Sequence, residues 1–212
     1  MSNYSSMIDI DLLLAWGAAY KKLGAGETIF TEGNLCSFYY QLVSGKVRWI
    51  NTDNLGKECI HYIIEPGESF GELPLFDNEP YAASAIAEED SILIRLHKPI
   101  FLDLLKDNSD IHFSFTKLLA KRLRFKLAII QSFASHCPEK MIATVLNQFK
   151  SENKNFCGDC NQLNLTRQQI ADMTGLRVET VIRTIRSMHD KGDLVITKGK
   201  VFCNNMIEVI LN

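Results

Sequence analysis

Residues 166–189, TRQQIADMTGLRVETVIRTIRSMH, read as two helices joined by a tight turn. Ala171 is the small residue where the helices touch, Gly175 serves the turn, and Val181 holds the second helix down. Arg177, Glu179, Arg183 and Arg186 then lie near one another, because residues three and four apart share a helix face. A merely solvated helix face carries similar charges. The ordered set separates the two readings: a turn glycine at its offset, two helices of suitable length, and basic residues at both helix starts. It favours a helix-turn-helix that reads DNA.

Downstream, residues 193–196, 201–203 and 206–211 read as strands, with Thr197-Lys198-Gly199-Lys200 as a turn between the first two. A small sheet after a helix-turn-helix makes a winged helix, whose turn places Lys198 and Lys200 for phosphate contact. Upstream lie a polar loop through Gln162 and an amphipathic helix over 139–150. Ser135-His136-Cys137-Pro138 is the expected hinge, since proline disfavours helix at the residue before it.

Residues 110–135 read as one long helix. Lys117, Lys121, Arg124, Ala128 and Gln131 share its narrow polar side at about 100° per residue, and apolar residues fill the rest of the arc. That arc is too wide for one packing surface. It predicts a homodimer, the helix meeting its own front domain on one side and a second copy on the other. A helix buried within a monomer is the alternative. Arg122 and Lys126 interrupt the apolar arc, where an unpaired charge is costly, so each calls for an acidic partner or an anionic ligand. Stems that pack while the charged ends reach water would also satisfy them.

The front half has another texture. Residues 9–20 suggest a short apolar helix, and 99–106 a helix closing a sheet. Between them, 28–30, 38–43, 46–50, 59–64 and 92–96 are short β-branched or aromatic runs punctuated by glycines, with a hairpin turn over 51–56. Such spacing reads as an antiparallel sandwich or barrel, which makes the whole chain α+β.

The 212 residues, 46% hydrophobic and 23% charged, suit one or two soluble domains. No apolar run reaches the roughly 18 residues of a membrane span. The N-terminus lacks a basic region followed by an apolar run, so a cytoplasmic protein with largely reduced cysteines is expected. The net charge of −2 hides an asymmetry: −8 over residues 1–108, +4 over 109–136 and +2 over 137–212. A basic rear fits a polyanionic partner such as double-stranded DNA, on the placement of charges rather than their number. No Ser/His/Asp set, phosphate loop or metalloprotease motif is present, which argues against an enzyme. Cys157-Gly158-Asp159-Cys160 is the one metal-like spacing. Zinc needs four ligands and these are two, so a polar loop with two reduced thiols is preferred over a metal or redox role.

From about Leu12 to Leu211 the chain resembles the CRP/FNR superfamily of bacterial transcription regulators. The carriers are GETIFTEGN (26–34), FYYQLVSGKVRW (38–49), GKECIHYIIEPGESFGELPLF (56–76) with the Ala-rich strand after it, LTRQQIADMTGLRVETVIRTIRSM (165–188) and KGKVFCNN (198–205). The resemblance implies an N-terminal antiparallel β-roll of the double-stranded β-helix type, a long dimerisation helix and a C-terminal winged helix-turn-helix. It divides the chain into a sensor (1–108), a pairing helix with hinge (109–137) and a reader (138–212). It also implies a palindromic operator and action on RNA polymerase. Glu179 and Arg183 match the family's base-reading acid and arginine; chemically, Arg183 suits a guanine and Glu179 a cytosine amino group. Val178 stands where nucleotide-responsive members carry arginine, as in the fumarate-nitrate branch, whereas Ile182 departs from that branch's serine. Arg167, Gln168, Arg177 and Arg186, with Lys198 and Lys200, complete the expected DNA contacts.

In the family's nucleotide pocket, Gly71-Glu72-Leu73 matches the ribose-binding segment. The Arg-Ser pair for the cyclic phosphate is expected about ten residues on, where Ala82-Ala83 is read instead, and the adenine-contacting hydroxyls are replaced by Lys126-Leu127. Loss of the charge-assisted contacts argues against cyclic AMP. Glu72 is then expected to partner Arg122, in a pocket that is either vestigial or holds another small anionic effector on Lys126. Only Cys36 and Cys59 lie in the front half, unclustered, against an iron–sulfur centre. Haem occurs in the superfamily, but His61, His97 and His112 show no pattern that singles one out. The competing class is a cyclic-nucleotide-gated module acting on a protein partner, and the winged helix speaks against it.

Overall fold

The computed structural model describes residues 6–207. The chain divides into two compact units, one running through Leu119 and the other starting at Ala120. In the first, α1 (Ile10–Ala15) is capped by Asp9, whose Oδ1 accepts from the Leu12 N–H at 3.0 Å. The helix expected over 9–20 is shorter than the apolar run suggests. Ala19 already belongs to β1 (Ala19–Leu23), which pairs residue by residue with β8 (Ser91–His97). Ladder bonds with a strand some 70 positions away override the local helical preference.

Two four-stranded antiparallel sheets make the roll. One runs β1-β8-β3-β6, with β3 at Phe38–Ser44 and β6 at Ser69–Phe70; the other runs β2-β7-β4-β5, from Thr28–Phe30, Ser84–Ala87, Val47–Thr52 and Glu58–Ile64. The expected antiparallel architecture is present. The 51–56 turn closes β4 onto β5, with Asp53 Oδ1 accepting from the N–H groups of Leu55 (2.8 Å) and Lys57 (2.9 Å). Because side chains alternate across a strand, β3 and β8 build two cores. Tyr40, Leu42 and Leu93 face the interior with Phe30, Val47, Trp49, Ile64 and Phe70. Tyr39, Ile94 and Leu96 face the opposite way, onto Leu13, Phe101 and Leu104. Phe101 and Leu104 come from α3 (Lys98–Asp107), and Phe115 from the long helix joins the same cluster.

That helix, α4 (Ser109–Ala134), is unbroken over 26 residues. Phe115 and Phe125 are buried, yet Leu123, Leu127 and Ile130 are 61%, 57% and 63% exposed on the single chain. In the second unit α5 (Pro138–Ser151), α6 (Arg167–Thr174) and α7 (Val178–Lys191) each pack against the other two. Ile142, Val145, Leu146, Phe149, Ile170, Val181, Ile185 and Met188 are buried there. The wing is the hairpin of β9 (Val195–Thr197) and β10 (Lys200–Phe202). The further strand expected over 206–211 is absent at Met206 and Ile207, and 208–211 lie outside the described residues. Ile207 has its backbone N–H and C=O engaged by the Asn147 side-chain amide, at 2.8 and 2.7 Å, in place of a strand partner.

Candidate nucleic-acid interface

The reader is fixed at both ends of its turn. Thr166 and Gln169 form a reciprocal capping box at the start of α6, so that helix satisfies its own first N–H groups. Gly175 ends α6 with φ 68°, a left-handed conformation that a side chain resists. α7 starts after Arg177 with no side-chain cap, which leaves its first N–H groups open to an anion.

The helical period then sorts α7 into two faces. Val181, Ile185 and Met188 are at most 1% exposed and form its inner side. Glu179, Ile182, Arg183 and Arg186 lie outside and, with Ser187 and Asp190, line one open groove. The structure thus brings Glu179, Arg183 and Arg186 together on one face, while Arg177 stands exposed at the N-cap and Val178 is half-buried behind it. Among the described carboxylates, none is within ion-pair distance of Arg177, Arg183, Arg186, Lys198 or Lys200. Those cations keep their charge for a ligand. Gln168 is exposed and donates to Asp172 Oδ1 at 2.8 Å. Arg167 is half-buried, its Nη2 donating to the Gly199 carbonyl of the wing at 3.4 Å. Positive φ at Lys198 (49°) and Gly199 (77°) gives the wing turn the twist that tight hairpins need.

The residues assigned to the effector pocket are spread over both units. In the first, Gly71 adopts φ 66°, and a Cβ there would lie 2.5 Å from the Phe30 ring. Glu72 is fully buried at the N-cap of α2 (Leu73–Asp77), and Leu73 packs at the rim of the interior core. Ala82 is exposed with its carbonyl accepting from Asn51 Nδ2 at 2.9 Å, while Ala83 is turned into the core. Of that pair only Ala82 is turned outward. Arg122 and Lys126 are half-buried residues of the second unit. Sequence reading missed Tyr81. Its ring stacks on Phe30 at 3.8 Å and 8°, and its hydroxyl donates to Cys36 Sγ at 3.1 Å. Burial, then that bond, pushes the phenol well above its ordinary range. The two rings are 51 positions apart, and no local pattern announces the stack.

Cys157 and Cys160 sit in the loop before α6 as free thiols, and no cluster of three or more metal-ligating side chains occurs among the described residues. Nor is any described helix long and apolar enough to cross a membrane.

Two family models match the chain: a cyclic nucleotide-binding domain over residues 20–108 and a Crp-like helix-turn-helix domain over residues 139–206. The chain is 29% identical to the cyclic AMP receptor protein of Thermus thermophilus over 176 residues, 83% of this chain and 79% of that one. It is also 29% identical to the cAMP-activated global transcriptional regulator CRP of Pasteurella multocida over 196 residues, 90% and 93% of the two chains. Among solved structures, FixK2 from Bradyrhizobium japonicum has the same fold, with TM-score 0.75 at 19% identity over 92% of this chain and 99% of that one. A CooA mutant from Carboxydothermus hydrogenoformans superposes with TM-score 0.75 at 18% identity, over 97% and 89%. A cyclic-nucleotide-binding-type domain in front and a Crp-like reader behind, in that order on one chain, make this protein a DNA-binding transcriptional regulator of the CRP/FNR family.

Proposed function

We propose that the protein is a cytoplasmic homodimer that binds a palindromic operator and acts on RNA polymerase. In this reading residues 1–108 sense, 109–137 pair the subunits, and 138–212 read DNA. The observation that carries it is the outer face of α7, where Glu179 and Arg183 stand unpaired beside Arg186 over a buried apolar face. Arg183 donates bidentately to a guanine and Glu179 accepts from a cytosine. Arg167, Gln168, Arg177, Arg186, Lys198 and Lys200 hold the phosphate backbone, giving affinity without sequence choice. Pairing is supported by α4, where exposed Thr116, Ala120, Leu123, Leu127 and Ile130 recur at alternating spacings of four and three, as on a coiled-coil seam. Selection of operators from random duplexes, repeated with Arg183→Ala, tests the reader. The variant costs about 1–3 kcal/mol and relaxes choice at one base pair. Equal weakening on every sequence would remove Arg183 from the base-reading set.

The effector of the roll is, in this reading, a small molecule other than cyclic AMP. No Lys or Arg occurs between Gly71 and Ala87, and Tyr81, which follows Pro80 there, is committed to Phe30 and Cys36. A cyclic phosphate entering that segment would find no cation to form a charge-assisted bond. The relatives named for cyclic AMP make it the ligand to try first. Calorimetry with cyclic AMP and cyclic GMP is expected to show no micromolar binding, and binding of either overturns this part of the proposal.

A further inference from the structure

The loop between α5 and α6 carries a chemical arrangement that DNA reading does not use. The Asn161 N–H donates to the Cys157 carbonyl at 2.9 Å, closing one helical turn across Cys157-Gly158-Asp159-Cys160. Residues three apart on such a turn face each other, and both thiols are free, Cys160 exposed and Cys157 half-buried. From this geometry we infer that Cys157 and Cys160 form a reversible dithiol–disulfide site that reacts with small disulfides, Cys157 attacking and Cys160 resolving.

Hydrogen bonding favours the charged form at Cys157. The Cys160 thiol first, then the backbone N–H groups, hold its pKa below the ordinary thiol range, and the same bond raises that of Cys160. The Cys157 thiolate attacks one sulfur of oxidised glutathione, whose S–S bond breaks and releases a glutathione thiolate. Cys160 then gives its proton to water and attacks the Cys157 sulfur of the mixed disulfide, expelling the second glutathione. The protein loses two electrons and two protons, and the small disulfide gains them. Three of the other four cysteines lack this environment. Cys203 is buried and pushed up to about 11, Cys36 accepts from Tyr81, and Cys59 is an exposed lone thiol.

The site is also wired to the wing. Leu163 N–H donates to the Val201 carbonyl at 2.8 Å, Cys203 N–H donates to the Asn161 carbonyl at 3.1 Å, and Gln162 bridges to Phe202. A new bond across 157–160 therefore pulls on the loop to which β10 is hooked, and β10 begins at Lys200.

The test uses the full reduced chain with oxidised glutathione, followed by alkylation, intact mass and peptide mapping. The expected product has lost two hydrogens, links 157 to 160, forms several-fold faster than glutathione adds to Cys59, and is reversed by dithiothreitol. Cys160→Ser is expected to trap glutathione on Cys157, while Cys59→Ser leaves the reaction unchanged. Adducts on Cys59 or Cys137 forming as fast as any 157–160 link, or no adduct on Cys157 in Cys160→Ser, overturn the site. Hydrogen exchange at the Leu163 and Cys203 amides, the donors of those two bonds, separates the wiring from the chemistry: altered protection in the oxidised chain supports it, and unchanged protection removes it. Neither measurement depends on DNA binding.

Discussion

Truncating Leu127 to alanine separates pairing from folding. Burying a whole leucine is worth about 2 kcal/mol. Because 57% of Leu127 is uncovered on the single chain, a partner that covers it gains about 1 kcal/mol per copy, or about 2 kcal/mol per dimer. Alanine is as good a helix former as leucine, so α4 itself is not weakened. Leu127→Ala is therefore expected to raise the dimer dissociation constant by about 30-fold. The stability of the single chain should move by no more than about 0.5 kcal/mol. Phe125, two positions away and 6% exposed, gives the opposite control: its truncation costs about 3–5 kcal/mol of folding stability at any protein concentration. Sedimentation equilibrium over a range of concentrations measures the first quantity and thermal unfolding of dilute protein the second. If Leu127→Ala left assembly unchanged, or unfolded the chain at every concentration, the exposed stripe would not be a pairing surface.

Two further perturbations follow from geometry. Gly175→Ala places a Cβ in open space and costs only the left-handed backbone, about 1–2 kcal/mol, whereas Gly71→Ala adds a collision with the Phe30 ring at 2.5 Å and should lower the melting temperature further. Equal losses would mean that the Phe30–Tyr81 stack yields easily. Cys203 makes stability depend on pH: burial raises its folded pKa from 9.0 to about 11, so the unfolded thiol ionises first and stability falls as pH rises through that window. The loss approaches 2–3 kcal/mol on the order of magnitude, and wild type minus Cys203→Ala in urea melts at pH 8 and 11 isolates it. A pH-independent difference would contradict the burial.

Periodicity made the reader legible. Val181 was expected to hold the second helix down and the turn glycine to make the corner; Val181 is buried, joined by Ile185 and Met188 at helical spacing, and Gly175 turns the chain. The α4 arc was readable for the same reason, its excess apolar width reappearing as exposed Leu123, Leu127 and Ile130. Elements defined by distant partners were harder. β1 is AYKKL, with little alternation of its own, and exists because β8 pairs with it. β7 is SAIA, mostly small residues of weak strand propensity, and is a strand because β4 pairs with it, Trp49 opposite Ala85 and Ile50 opposite Ser84. Tyr81 escaped because its partners, Phe30 and Cys36, come from remote stretches of chain. At Ile207, near the start of the strand expected over 206–211, the Asn147 side chain takes the backbone bonds that a strand partner would need, and 208–211 lie outside the described residues.

The wing turn has a consequence for anyone who engineers this protein. Lys198 holds φ 49°, a conformation that asparagine or glycine occupies far more readily. A stabilisation campaign guided by turn preferences would select Lys198→Asn early, relieve the backbone and raise the melting temperature. It would also delete one of the cations at the tip of the wing. Under the phosphate contact proposed for Lys198, robustness and grip on DNA pull against each other at this single residue.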